Sequence, residues 1–132
     1  MALQYSAPVN NARLDAVEAA IGATAKLRIY SGAAPANCAA AATGSLLCEM
    51  VLPADWMTAA AAGVKAKTGT WSGAGAIAGT AGYFRIVDNS GATCGIQGTC
   101  GQGAGDMSLD NVNIAVSQVV TVNTFSLTAA NT

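Results

Sequence analysis

The chain contains no histidine. Without an imidazole, no Ser-His-Asp or Cys-His arrangement can be assembled, and the commonest general base near neutral pH is missing. Charge is scarce too: six Lys and Arg and seven Asp and Glu make up 10% of 132 residues, against a typical ~25%. The cations, Arg13, Lys26, Arg28, Lys65, Lys67 and Arg85, are dispersed rather than gathered into a stripe, which argues against a nucleic-acid partner. No apolar run approaches the roughly 18 residues of a membrane-spanning helix. Residues 1–8 have neither a basic stretch nor an apolar stretch of signal-peptide length. The expectation is therefore a protein made and kept in the cytosol, leaving it by lysis or within a larger particle.

Large apolar side chains are also few. Hydrophobic residues are 52% of the chain, but thirty of them are Ala, while Leu, Ile and Val together supply 24 and Met, Phe, Trp and Tyr only 11. Burial contributes about 25 cal/mol per Å², and Ala brings little area. The core is thin for this length, and the surface must be largely Ala, Gly, Thr, Ser and Asn. Such a surface loses little side-chain entropy when covered, which points to a chain that packs against neighbouring copies as a homo-oligomer. The alternative is a marginally stable monomer.

Four cysteines stand at positions 38, 48, 94 and 100. Cytosolic synthesis favours free thiols, while an even count leaves disulfides open in three connectivities. Cys94 and Cys100 are the candidate local pair, because a hairpin would bring them together. Zinc fits poorly: there is no His, and no short Cys-x-x-Cys spacing.

Along the chain, residues 1–9 read as an extended arm with Leu3, Tyr5 and Val9 as its apolar contacts and Pro8 keeping it out of a helix. Residues 10–132 read as a single β-rich domain. Asn10 and Asn11 offer a helix cap, and Leu14, Val17 and Ile21 mark one apolar face of a helix over 12–21 that stops at Gly22. Asp15 and Glu18 fall in its first turns, where they suit the helix dipole.

Strands are expected over 26–30, 45–52, 64–71, 83–87, 93–99, 107–109, 112–116 and 118–128. Residues 33–44 and 72–82 read as loops of small residues, the second anchored by Ile77. Asp88-Asn89-Ser90-Gly91 has turn-forming residues throughout. In the last strand the apolar phase slips between Val122 and Phe125, which calls for a β-bulge near Asn123-Thr124. The expected fold is mainly β, an antiparallel β-sandwich or jelly-roll-like barrel with one short N-terminal α-helix.

Chemistry-bearing patterns are weak. Glu49 and Asp55 could pair as acid and base, but one exposed strand residue and one turn residue is the more economical reading. Residues 105–111 place oxygens in a loop without the acidic density of a Ca²⁺ site. Gly73-Ala74-Gly75 and Gly101-Gln102-Gly103 lack the Lys-Ser/Thr and the helix of a phosphate loop. Trp56 and Trp71 could stack on a sugar, but two indoles in a thin core read more simply as core or interface anchors. No catalytic residue, metal or cofactor is expected. The candidate interface residues are Leu3, Tyr5, Val9, Trp56 and Trp71.

Four pieces stand in order: Asn11-Ala12-Arg13-Leu14-Asp15-Ala16-Val17-Glu18-Ala19-Ala20-Ile21-Gly22, Leu27-Arg28-Ile29-Tyr30-Ser31-Gly32, Gly79-Thr80-Ala81-Gly82-Tyr83-Phe84-Arg85-Ile86-Val87-Asp88, and Gln97-Gly98-Thr99. With the closing strand they resemble a family of small virion proteins of tailed bacteriophages, over most of the chain. The resemblance implies a head decoration or cement protein bound to the major capsid protein or other virion proteins, assembled in the bacterial host cytoplasm and residing in the virion. A tail or neck component is the rival, and a receptor- or glycan-binding module is a different class again. No functional residue carries over.

Overall fold

The computed structural model describes residues 3–129. It is mainly β, a curled, barrel-like sheet with one short helix. Helix α1 (Ala7–Ile21) is followed by β1 (Lys26–Ser31), β2 (Leu46–Val51), β3 (Val64–Ala66), β4 (Ser72–Ala74), β5 (Gly79–Val87), β6 (Cys94–Gly101), β7 (Met107–Leu109), β8 (Asn113–Ile114) and β9 (Val119–Thr128). The strands lie in the order β2-β1-β5-β6-β7-β9-β3, with β4 paired to β9 and β8 to β5. Cys48 on β2 bridges to Gly75 just past β4, so the sheet curls until its first strand meets the strand on its far side. Pairing is antiparallel apart from β6 with β7, which run parallel for two residue pairs.

Helix α1 starts five residues earlier than its sequence pattern suggests. Ser6 is the N-cap, its Oγ accepting from the Val9 N–H, and Pro8 sits in the first turn, where a missing N–H costs nothing. The arm read over 1–9 is thus helical from Ala7 onward, and residues 1–2 lie outside the described residues. Asp15 and Glu18 fall mid-helix, and the first turn carries no acid. Of the expected apolar face only Leu14 is buried; Val17 and Ile21 are half-buried. The helix is held chiefly by polar side chains. Asn11, Asp15 and Glu18, at i, i+4 and i+7 on one face, accept from the backbone N–H groups of Gly63, Ala60 and Met57 at 3.1, 3.0 and 3.0 Å.

The core follows from strand alternation. Leu27 and Ile29 of β1, Phe84 and Ile86 of β5, Met107 and Leu109 of β7, and Val120, Val122 and Phe125 of β9 all point inward. In β9 the register passes from Ser108↔Thr124 to Leu109↔Val122. Asn123 is the extra residue, and this bulge returns Phe125 to the side of Val122 as the sequence phase required. A second bulge leaves Leu47 unpaired between Ile29↔Cys48 and Tyr30↔Leu46, and Leu47 and Cys48 are both buried. Four rings run through the interior: Trp56 to Trp71 at 6.0 Å, Trp71 to Phe125 at 5.8 Å and Phe125 to Phe84 at 5.4 Å.

Elsewhere the strand limits shift: β5 begins at Gly79, inside the stretch read as a loop, β6 runs on to Gly101, and others are trimmed. The stretch over 64–71 is a strand only to Ala66, because Ala61 and Val64 close a two-residue hairpin and Lys67 meets Met57 in a single bridge. The Gly-rich stretch after Trp71 contains β4, and Ile77 stands half exposed rather than anchoring a loop. Gly82 has a steric reason to be glycine: a Cβ there would fall on the Gly32 carbonyl oxygen, where β5 passes the end of β1.

Candidate functional site

The densest cluster of charge lies under the helix. Lys65 on β3 has its side chain only 2% exposed, with Nζ 2.8 Å from Asp15 Oδ1 and 2.9 Å from Glu18 Oε1. It also donates to the Thr58 carbonyl at 2.8 Å. All three ammonium protons have acceptors. Burial pushes the Lys65 pKa down, but hydrogen bonds to Asp15 and Glu18 more than offset that, and the net shift is upward. The Asp15 carboxyl is held below its ordinary value, first by the Lys65 ammonium and then by the Ala60 N–H. A lysine kept protonated and fully bonded is neither base nor nucleophile; this triad fastens α1 to the barrel.

A second polar construction pins the loop 33–44 across the outer face of β5. Arg85, 6% exposed, donates from Nε to Gln97 Oε1 at 2.9 Å and from Nη2 to the Ala40 carbonyl at 2.7 Å. Gln97 Nε2 donates to the Pro35 carbonyl, and the Tyr83 hydroxyl donates to the Thr43 carbonyl while accepting from its N–H. Tyr83 stacks on Tyr30 at 5.0 Å. Cys38 in this loop is disulfide-bonded to Cys94. The pairing of Cys94 with Cys100 is thereby corrected. Both lie on β6, and six residues of extended chain separate their Cα atoms by about 20 Å, far beyond disulfide reach. Cys48 and Cys100 are free, and burial, with Asp106 adding to it, pushes the Cys100 thiol up to about 12, so neither is primed as a thiolate.

Glu49, Asp106 and Asp110 serve local structure. Glu49 binds Arg28 at 2.6 Å rather than Asp55. Asp106 Oδ2 accepts from the Thr99 N–H and hydroxyl, and Asp110 Oδ1 from the Thr121 N–H, so these two carboxylates tie the ends of β7 to β6 and β9. Gly73 lies in β4, and Gly101 ends β6.

Two of the five candidate interface residues are corrected. Trp56 and Trp71 are 0% and 1% exposed, and their indole N–H groups donate to the Gly22 and Thr68 carbonyls. A chain with so few large side chains needs both in its core, and neither offers a surface for a sugar. Leu3, Tyr5 and Val9 are on the surface, 71%, 40% and 46% exposed.

Sequence reading missed a surface feature, a groove of about 590 Å³ between α1 and the β5–β6 hairpin, whose second wall holds Thr93 and Gly95. Its helix wall is Ala16, Val17, Ala20 and Ile21, with Arg13 and Asp88 also on its lining. Ile21 sits against Gly95 of β6, where a Cβ would collide with it. The i, i+4 spacing of Ala16 and Ala20 was the available signal. No protein-family model, no curated protein and no solved structure matches this chain.

Proposed function

We propose that this protein is a structural component of a tailed-bacteriophage virion, a decoration or cement protein that binds the outer shell through the major capsid protein as a homo-oligomer. The observation that carries the reading is the N-terminal segment. Leu3, Tyr5 and Val9, the last in the first turn of α1, place three of the eight exposed large apolar side chains among the described residues within seven positions. Leu3 and Tyr5 lead into a domain whose aromatic core is closed and whose main loop is bolted down by Arg85 and the Cys38–Cys94 bond. A rigid body with an adhesive arm suits attachment to a neighbour, and the polar clusters are spent on holding helix and loop in place. The resemblance of the four sequence pieces supports the same assignment.

The test is add-back to purified particles stripped of the protein. Full-length chain is expected to co-sediment with the shell and raise its resistance to heat. A variant lacking residues 2–5 retains Ser6 as the helix cap, is expected to keep its fold by circular dichroism, and is expected to be retained at least about tenfold less well. Full-length chain that does not co-sediment would overturn the proposal, and equal retention of both proteins would remove the arm from it.

A further inference from the structure

The groove along α1 has the charge pattern of a self-complementary surface. Arg13 stands eight residues before Ile21, about 12 Å up the helix. Asp88 opens the β5–β6 turn beside the helix C-terminal end, where the next residue, Asn89, donates to the Thr24 carbonyl at 3.0 Å. Between them lie the exposed Ala16 and Ala20, small enough to let a second helix approach to about 8 Å. Among the described residues neither Arg13 nor Asp88 enters an ion pair. Arg13 donates to Asn10 Oδ1 and lies over the Tyr5 ring at 4.6 Å. Asp88 Oδ1 accepts from Ser90, Ala92 and Thr93 within its turn. The last turn of α1 carries no basic residue, so no cation of its own offsets the negative end of its dipole.

The geometry points to a second copy of this chain as the occupant, docked by a two-fold axis through the middle of the groove, with the α1 helices antiparallel and crossing at Ala16 and Ala20. In that arrangement each Arg13 arrives at the partner's helix C-terminal end and at the partner's Asp88, forming two equivalent ion pairs as an isologous contact must. Opposite charges at the two ends of one groove also set the orientation: a parallel helix pair would bring Arg13 against Arg13. This gives the oligomer in the proposed function a specific surface, and it is read on purified protein without any particle, so its failure would leave the shell-binding reading standing.

The experiment is sedimentation velocity across a concentration series. Wild-type protein is expected to show a monomer–dimer equilibrium. R13D and D88R alone each put two like-charge pairs into the homodimer and are expected to weaken it at least about tenfold. An equimolar mixture of the two restores opposite charges at both contacts and is expected to dimerise as wild type does. Asp88 fastens its turn, so the fold of D88R is checked by thermal melting. A16W, which enlarges a solvent-facing residue, supplies an independent block and is expected to be monomeric. A wild-type monomer at every concentration, a mixture of folded variants no better than either alone, or an A16W that dimerises normally would each overturn the assignment.

Discussion

Replacing both Cys38 and Cys94 by alanine removes a cross-link between residues separated by 56 positions. In the chain-entropy account, closing a loop of that length costs the unfolded chain about 14 cal/mol/K, or about 4.2 kcal/mol at 25 °C. The native side loses little else, because Arg85, Gln97 and Tyr83 still hold the loop through the Ala40, Pro35 and Thr43 backbone. At roughly 2.1 cal/mol/K per residue, unfolding 132 residues carries an entropy of about 280 cal/mol/K, so the midpoint should fall by about 15 °C. Differential scanning calorimetry of the double variant against wild type reads this directly. Reductant should lower the wild-type midpoint by the same amount and leave the variant unmoved. A thiol count in denaturant supplies the covalent check: two without reductant, from Cys48 and Cys100, and four with it. A midpoint shift under about 3 °C, or four thiols in the untreated chain, would refute the cross-link.

Lys65→Ala leaves Asp15 and Glu18 without their cation. It should cost about 2 kcal/mol in urea unfolding, less than the roughly 3–5 kcal/mol of a fully buried broken pair because both carboxylates retain some solvent contact. The Lys65 pKa is raised above its ordinary 10.5 and that of Asp15 is lowered below its ordinary 3.8. Their stabilisation is therefore present between those values, lost as pH climbs through the folded lysine pKa and lost as pH falls through the folded aspartate pKa. Lys65→Met should flatten both limbs of the midpoint-versus-pH curve, and unchanged limbs would contradict the triad. Ala62 has φ +51° beside Gly63 at +76° in the two-residue hairpin, a turn that prefers Asn-Gly. Ala62→Asn should add about 1 kcal/mol and raise the midpoint by about 3–4 °C. Gly82→Ala drives a methyl onto the Gly32 carbonyl and should cost about 3 kcal/mol or more by the same assay; a cost under 1 kcal/mol would show that the two strands can part there.

What the sequence revealed and what it hid divide along the range of the interactions. The alternation of β1, the turn at Asp88–Gly91 and the phase slip answered by the Asn123 bulge are carried by neighbours in the chain, and all were readable. The helix start was misplaced because Pro8 reads as a breaker when taken alone, yet two residues after a serine cap it is a starter. Lys65 alternates like a solvent-facing strand residue; its burial depends on Asp15 and Glu18, fifty and forty-seven positions away. Cys38 finds Cys94 through the folding of loop 33–44 over β5, which no spacing announces. Trp56 and Trp71 read as core or interface anchors, and the poverty of large side chains that left both open draws them into the core. The groove on α1 exists because the helix is tied down by polar groups on its inner side, leaving Ala16 and Ala20 outward. Only the structure shows which side that is.

The measurement that bears most directly on the proposed function is the copy number of this chain in purified phage particles relative to the major shell protein, by quantitative mass spectrometry. The decoration assignment predicts a ratio of the same order as the shell protein. A few copies per particle would place the chain in the tail or neck, and absence from the particle would contradict the virion assignment altogether.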